Sequence, residues 1–243
     1  MQKKEYSTES NSSEWKNKFA SEDKKGLIKK LGVWAGIIAV VVVGLVALVM
    51  VAQRGGTPQT PVVVENLPAP RESDIIEGNP KAKAILTEYA DFQCPACASY
   101  NPTVNSLLEQ YPQDLMVVFR HFPLRGIHKN AQVSGQAAFA AWKLGKFEEM
   151  KDLLYGTQDS WSNLNDPRDV FVGYANEIGL DTEEFESLMN SDDAKRAVLD
   201  GEAEAARLGL NSTPSFFVGN KRVFPSTLDD FKALIEEELK ISK

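Results

Sequence analysis

Two cysteines, Cys94 and Cys97, are the residues of this chain best suited to chemistry, and its 243 residues contain no others. They stand in the stretch DFQCPAC, with Pro95 and Ala96 between them. Three kinds of site use such a pair: a metal site, a structural disulfide, and a redox couple that alternates between dithiol and disulfide. The residues around the pair must decide among these three.

A metal site has the least support in the sequence. Zinc takes four protein ligands, or three and a water molecule, and the chain holds two cysteines and two histidines in total. The histidines, His121 and His128, lack the spacing of a zinc finger. A structural disulfide is disfavoured because a disulfide stabilises more when it closes a longer loop, and this loop is very short. Nothing in the sequence demands a metal, a nucleotide or another small-molecule cofactor.

A redox couple is favoured by the elements that must position the pair. The run KAILTEYA before it predicts a β-strand, and a helix is expected from about Pro95 to Gln110. Cys94 then lies at the start of the helix, where free backbone N–H groups and the helix dipole stabilise a thiolate. Proline suits the first helical turn, because its missing N–H costs no hydrogen bond there. Cys97 lies one turn further on, within reach of a mixed disulfide at Cys94.

The other elements predict an α/β fold with a helical insertion. LMVVF (115–119) is a second buried strand, and a helical pattern runs from His128 to Leu208. SFFV (215–218) and RVF (222–224) flank a short turn and predict a hairpin. An amphipathic helix from Leu228 to Lys240 follows. The predicted order is strand, helix, strand, four or five helices, two hairpin strands and a helix.

Several separated motifs point to one family. They are FQCPAC, the loop Asn211-Ser-Thr-Pro214 before the strand SFFVG, the segment Gly126-Ile-His128-Lys-Asn-Ala131 with the downstream pattern Trp142…Gly145-Lys-Phe147…Leu153, and Pro102. With them the chain resembles the thioredoxin superfamily, and more closely its DsbA-like thiol–disulfide oxidoreductases. The resemblance covers about residues 74–241. It implies a thioredoxin-like fold with a helical insertion at about residues 127–209.

The resemblance also implies a substrate-binding surface. The Thr213–Pro214 peptide bond is expected to be cis and to pack against the disulfide. Thr213 and Pro214, together with Pro95 and Ala96, are expected to face the substrate, whose extended chain would add there as a short strand. Strongly oxidising members of the family carry a histidine between the cysteines, and this chain has Pro95-Ala96. The direction of electron flow therefore stays open.

One acidic residue is implied to take part in the chemistry. Glu88 stands six residues before Cys94 on the predicted strand, and one interpretation makes it a strand residue on an exposed face. The resemblance favours the other, in which Glu88 is a buried carboxylate that takes and returns the proton of Cys97. Burial of this carboxyl should raise its pKa, because desolvation disfavours the charged form. Asp91 is expected nearer the surface as a loop residue, and His128 is expected to start a helix rather than to act in catalysis.

The N-terminal part predicts a membrane anchor. Residues 31–52 are 22 in number and uncharged, and as a helix they would extend roughly 33 Å, enough for a hydrocarbon core of about 30 Å. A cleaved signal peptide is the alternative, but its apolar core is usually only about 7–15 residues long. Lysines are dense in the tail 1–30, so the positive-inside rule places the tail in the cytoplasm. The linker 53–73 and the catalytic domain 74–243 would then lie outside the cell membrane.

Three functions fit these observations. The first is an extracytoplasmic enzyme that introduces disulfides into cysteine-containing secreted or surface proteins and is recycled by a membrane redox partner. The second is a membrane-anchored disulfide reductase or isomerase. The third is a non-catalytic binding or chaperone module. The formal net charge of −7 gives no indication of a nucleic-acid partner.

Overall fold

The computed structural model describes part of the chain in detail, namely residues 34, 36–45 and 60–241. The chain divides into two compact units, with the boundary after Pro58. In the first unit, residues 36–45 are helical (α1). In the second, strands and helices form one α/β assembly.

Much of the predicted membrane attachment lies outside the described residues. This is true of the whole tail 1–30, of most of the predicted anchor 31–52, and of the start of the linker 53–73. Within the part of the chain that is described, no helix has both the length and the apolar character needed to cross a bilayer.

The second unit is built on one mixed sheet. Its strands are β1 (Val62–Val63), β2 (Ile75–Gly78), β3 (Ala84–Ala90), β4 (Leu115–His121), β5 (Ser215–Val218) and β6 (Lys221–Val223). They lie in the order β1-β6-β5-β3-β4-β2. Only the pair β3 and β4 is parallel among these strands. Almost every residue of that pair is buried, as expected for strands covered by helices on both faces.

Helices cover the sheet. They are α2 (Pro95–Gln110), α3 (Ala131–Lys143), α4 (Phe147–Gly156), α5 (Gln158–Trp161), α6 (Arg168–Glu177), α7 (Thr182–Met189), α8 (Asp192–Arg207) and α9 (Leu228–Ile241). The helices α3 to α8 all lie between β4 and β5, which confirms that the chain between these strands is helical. Asp181 and Ser191 accept hydrogen bonds from the first turns of α7 and α8, which fixes where these helices begin.

The buried side chains divide into separate cores. One core lies between the sheet and the helices α2 and α9, around Leu86, Val104 and Phe231. A second core joins the sheet to the inserted helices, and both Cys94 and Cys97 belong to it. The cysteines therefore lie where the inserted helices pack against the rest of the fold.

The start of the compact unit differs from the sequence prediction. Residues 62–71, which we call the belt, belong to the predicted linker but pack against the sheet. At one end, β1 pairs with the edge strand β6. Further along, the Arg120 guanidinium donates hydrogen bonds to the carbonyls of Pro68 and Ala69 at 3.1 and 3.2 Å. The valine run at residues 62–63 has a high β-propensity and pairs with the open edge of β6. This pairing satisfies backbone hydrogen-bonding groups that the edge strand would otherwise expose.

Candidate active site

The two cysteines lie at the N-terminal end of α2. Cys94 is the N-cap residue, with extended backbone angles (φ −77°, ψ 120°), and Pro95 follows in the first turn. The Cys94 side chain is 7% exposed, whereas Cys97 is fully buried. Pro95 and Ala96 are exposed. A substrate thiol can therefore approach Cys94 but not Cys97.

A loop before β5 closes over the cysteines from the opposite side. Its Thr213–Pro214 peptide bond is cis, which confirms the expectation from the sequence. The Cys94 sulfur lies 3.4 Å from the Thr213 carbonyl oxygen and donates a hydrogen bond to it when it carries its proton. Four residues were expected to bind substrate. Pro95 and Ala96 follow Cys94 directly in α2, and Thr213, whose bond to Pro214 is cis, contacts the Cys94 sulfur through its carbonyl.

The pKa of Cys94 is lowered from 9.0 to about 5. The largest cause is a hydrogen bond from the Cys97 thiol, which stabilises the Cys94 thiolate. Burial opposes this shift, and the backbone N–H groups of Cys97 and Ala96 lower the pKa further. The helix N-terminus thus contributes as the sequence predicted, but the second cysteine contributes more.

Cys97 is shifted in the opposite direction. Burial raises the pKa of this thiol well above 9.0, and the neighbouring thiolate of Cys94 and carboxylate of Glu88 raise it further. At neutral pH one sulfur is therefore a thiolate and the other a thiol. An arrangement of this kind supports thiol–disulfide exchange, in which one sulfur is attacked and the other leaves.

Glu88 lies on β3 beneath the cysteines. Its side chain is buried, and in the sheet it is paired with Phe119 of β4 and Phe216 of β5. Burial among such neighbours raises the pKa of this carboxyl to about 8, with Lys151 partly opposing the shift. Glu88 is therefore a neutral acid at pH 7 that can give a proton to a nearby thiolate.

A second buried acidic residue was not predicted from the sequence. Glu77 of β2 accepts a hydrogen bond from the Lys151 ammonium of α4 at 2.5 Å, and both side chains are buried. Lys151 also donates to the Asn105 side chain at 3.0 Å. Burial raises the pKa of Glu77, and Lys151 counteracts this shift. Lys151 thus pairs with Glu77, and its charge also acts on Glu88.

The prediction for Asp91 was wrong, because this side chain is buried rather than near the surface. It accepts hydrogen bonds from the backbone N–H groups of Gln93 and Leu124. Its other contact is the His128 ring, whose Nδ1 lies 2.7 Å from the carboxylate. His128 precedes α3, which begins at Ala131, and its side chain ties the loop after β4 to the loop before the cysteines.

The inserted helices hold the same loop through two glutamines. Gln158 of α5 donates hydrogen bonds to the carbonyls of Phe92 and Cys94 at 2.7 and 3.0 Å. Gln93 donates to the Ser162 carbonyl and accepts from the Asn130 backbone N–H. The backbone around Cys94 is therefore positioned by the insertion as well as by the sheet.

No group of metal-ligating side chains was found in the described part of the chain. A cavity of about 470 Å³ lies against β2, α3 and α8, and neither cysteine lines it. It borders a network of buried ion pairs in which Arg120 contacts Asp74 and Glu204. The chemistry available at the site is therefore that of the thiols and of the carboxyl beneath them.

Comparison with known proteins gives a family and a fold. A family model described as Thioredoxin matches residues 71–237. A thioredoxin-like oxidoreductase from Silicibacter pomeroyi DSS-3 is 26% identical, with a TM-score of 0.61 over 70% of this chain and 94% of that chain. Oxidised BdbD from Bacillus subtilis is 18% identical, with a TM-score of 0.65 over 74% of this chain and 99% of that chain. At this level of identity, the similarity to BdbD shows only that the two chains share a fold.

The curated relatives are longer proteins. The Na(+)/H(+) antiporter NhaA 1 of Mycobacterium sp. (strain KMS) is 36% identical over 159 residues, which are 64% of this chain and 25% of the relative. The Na(+)/H(+) antiporter NhaA of Herminiimonas arsenicoxydans is 30% identical over 207 residues, 84% of this chain and 32% of the relative. The chain thus spans about a quarter to a third of the length of these relatives. Na(+)/H(+) antiport is the activity in the names of these longer relatives.

Proposed function

This chain belongs to the thioredoxin family, and on that premise we propose that it is an extracytoplasmic thiol–disulfide oxidoreductase that introduces disulfide bonds into cysteine-containing proteins. The observation that carries the proposal is the opposite acidity of its two thiols. Cys94 has a pKa of about 5, and burial raises the pKa of Cys97. A sulfur that leaves easily and a fully buried partner that keeps its proton suit disulfide transfer.

The first step is attack on the oxidised pair. A substrate thiolate attacks the Cys94 sulfur, a mixed disulfide forms, and the Cys94–Cys97 bond breaks. The electron pair of that bond stays on the Cys97 sulfur, which leaves as a thiolate. Glu88, which is protonated at pH 7 because its pKa is about 8, gives its proton to this thiolate.

The second step releases the product. Another thiolate of the substrate attacks the substrate sulfur of the mixed disulfide, and Cys94 leaves as a thiolate. The low pKa of Cys94 makes it a good leaving group. Two electrons have then passed from the substrate dithiol to the enzyme dithiol. A membrane redox partner that accepts two electrons is required to restore the Cys94–Cys97 disulfide.

The acidity of Cys94 sets an expected reduction potential. A pKa of about 5 lies between about 7 for thioredoxin and about 3.5 for DsbA. At pH 7 it stabilises the reduced form by about 2.3 kcal/mol more than a pKa of 7 does, which corresponds to about 50 mV. Adding this to about −270 mV for thioredoxin gives about −220 mV, below about −120 mV for DsbA.

The membrane attachment is part of the proposal. The uncharged block 31–52, preceded by a lysine-rich tail, supports a single anchor in the bilayer with the N-terminus in the cytoplasm. The catalytic unit would then work outside the membrane, where disulfides persist. The redox partner would be reached within the same membrane.

The direction of transfer is tested with reduced, unfolded ribonuclease A and the oxidised full-length chain. We expect disulfides to appear in ribonuclease while Cys94 and Cys97 become reduced, as counted by alkylation and mass spectrometry. The Cys94→Ser variant, which cannot form the mixed disulfide, is the control. Reduction of insulin by the reduced chain, with no transfer to ribonuclease, would indicate a reductase. A pair that never exchanges with glutathione would indicate a structural disulfide or a binding module.

A further inference from the structure

Tyr155 of α4 has a buried hydroxyl with no hydrogen-bond partner among the described protein residues. The hydroxyls of the other tyrosines in residues 60–241, namely Tyr89, Tyr100, Tyr111 and Tyr174, all have partners. A buried polar group without a partner costs free energy. A buried polar group without a partner in a native protein calls for an explanation, and a redox or catalytic role is one such explanation.

The position of Tyr155 connects it with the cysteine pair. Its ring packs on Phe92 with the ring centroids 4.9 Å apart, two residues before Cys94. It belongs to the same core as both cysteines. Its helix α4 packs against α2, the helix that begins at the two cysteines.

The hydroxyl can act only as a neutral donor or acceptor. Burial, and then the neighbouring negative charges, raise the pKa of Tyr155 well above its ordinary value. On the same face of α4, Lys151 is occupied by Glu77. Within the described residues, no cation is therefore available to pair with a negative charge that forms on the Cys97 sulfur. The O–H of Tyr155 is available to donate a hydrogen bond instead.

We infer that Tyr155 donates a hydrogen bond to the Cys97 sulfur when that sulfur leaves as a thiolate. This inference rests on the proposed function. In the dithiol state Cys97 holds its proton, and the Tyr155 hydroxyl makes no hydrogen bond to it. When the disulfide breaks, the sulfur gains a full negative charge in a water-poor site, and the O–H of Tyr155 stabilises it until Glu88 supplies a proton. No covalent bond of Tyr155 changes in this step.

The test is the Tyr155→Phe variant of the full-length chain, which keeps the ring packed on Phe92 and removes only the hydroxyl. We expect the rate of reduction of the oxidised variant by glutathione at pH 7 to fall about tenfold, because a hydrogen bond to a charged group is lost. The Cys97 pKa, followed by the ¹³Cβ shift of labelled cysteine in the reduced protein, should rise. The Tyr100→Phe variant is the matched control. It removes a partly buried hydroxyl whose one partner among the described residues is the Pro225 carbonyl.

The outcomes separate this inference from the function on which it rests. If the wild-type chain exchanges with glutathione and Tyr155→Phe has the same rate and the same Cys97 pKa, the inference is overturned while the function stands. If the wild-type chain does not exchange, both fail. Replacing Tyr155 by 3,5-difluorotyrosine, a stronger donor, tests the same bond without deleting it. A faster rate supports the inference, and a rate equal to that of the wild type overturns it.

Discussion

At the scale of single residues, the function depends on two thiols one helical turn apart that differ in acidity. Cys94 is stabilised as a thiolate by the Cys97 thiol and by backbone N–H groups. Cys97 is kept neutral by burial. The number of protons that accompany the two electrons of reduction follows from this difference.

We therefore predict the pH dependence of the reduction potential. The folded-state pKa of Cys94 is lowered to about 5, so the thiolate stabilises the reduced form at pH values above 5, and this stabilisation is lost as the pH falls through 5. Reduction then takes up one proton between pH 5.5 and 7, and the potential should fall by about 30 mV per pH unit. Equilibration with glutathione at several pH values measures this slope. A slope of about 59 mV per pH unit would show that Cys94 keeps its proton.

The buried carboxyl of Glu88 makes a separate prediction about stability. Its pKa is about 8 in the folded protein, against 4.5 ordinarily. The protonated Glu88 carboxyl therefore contributes its full stabilisation of the folded protein below pH 4.5. This contribution is lost as the pH rises through 8. The Glu88→Gln variant has no proton to lose at this position, so it escapes this loss. The unfolding free energy of the oxidised variant, relative to that of wild type, should therefore rise by on the order of 3 kcal/mol between pH 5 and pH 7.5. Urea unfolding at the two pH values measures the gain.

The same variant should be impaired in exchange. Without a carboxylic acid beneath the cysteines, reduction of the oxidised chain should slow by about a hundredfold, because a positioned general acid contributes about that much. Glu109→Gln, on an exposed position of α2, is the control for both measurements. A Glu88→Gln variant whose stability follows the same pH course as wild type would contradict the assignment of a buried, protonated carboxyl.

At the scale of elements, the inserted helices position the backbone that carries Cys94. Gln158 of the short helix α5 satisfies two carbonyls in the loop before α2, those of Phe92 and Cys94. Its neighbouring helix α4 carries both Lys151 and Tyr155 to the buried side of the site. The insertion therefore forms part of the active site.

We predict that Gln158→Ala destabilises the protein and slows exchange. The change leaves two carbonyls without their side-chain donor, which should lower the unfolding free energy by about 1–3 kcal/mol. Gln110→Ala is the matched control, because within the described residues the exposed Gln110 side chain bonds only to the Ser106 hydroxyl. This change should alter stability by less than about 0.5 kcal/mol. Equal losses in the two variants would show that the contacts of Gln158 do not hold the loop.

Sequence patterns predicted the elements that local signals define. The helix from Pro95 to Gln110 was predicted with the bounds that the structure gives, because a proline at its start and the cysteine spacing mark it. The cis bond at Pro214 and the burial of Glu88 followed from the family resemblance. These features depend on residues that are close in the chain or on a recurring motif.

Features that depend on distant partners were not predicted. The belt contains prolines and looks like a linker, and only the edge of β6 and the reach of Arg120 show that it packs. Lys151 lies in a run of charged and apolar residues typical of an exposed helix face. Its partner Glu77 is 74 positions away in the chain. No local pattern distinguishes such a buried pair from solvated charges.

At the scale of the whole molecule, the uneven distribution of charge bears on where the enzyme works. Residues 1–30 hold eight lysines and five acidic residues, a net charge of +3. Residues 31–52 are uncharged, so the remaining 53–243 hold nineteen basic and twenty-nine acidic residues, a net of −10. Lysines crowd the N-terminal side of the uncharged block, whereas only Arg54 lies close on its other side. This difference in Lys and Arg, rather than the acidic charge of residues 53–243, favours insertion with the N-terminus in the cytoplasm.

Fusion of alkaline phosphatase after residue 60 tests this topology, because that reporter folds only where its disulfides can form. We expect high phosphatase activity from this fusion and background activity when the reporter follows residue 30. Exchanging Lys24, Lys25, Lys29 and Lys30 for glutamine should lower the activity of the first fusion, since these lysines set the orientation. Background activity after residue 60 in the unaltered chain would place Cys94 and Cys97 in a reducing compartment. The direction of electron flow would then favour a reductase over an enzyme that makes disulfides.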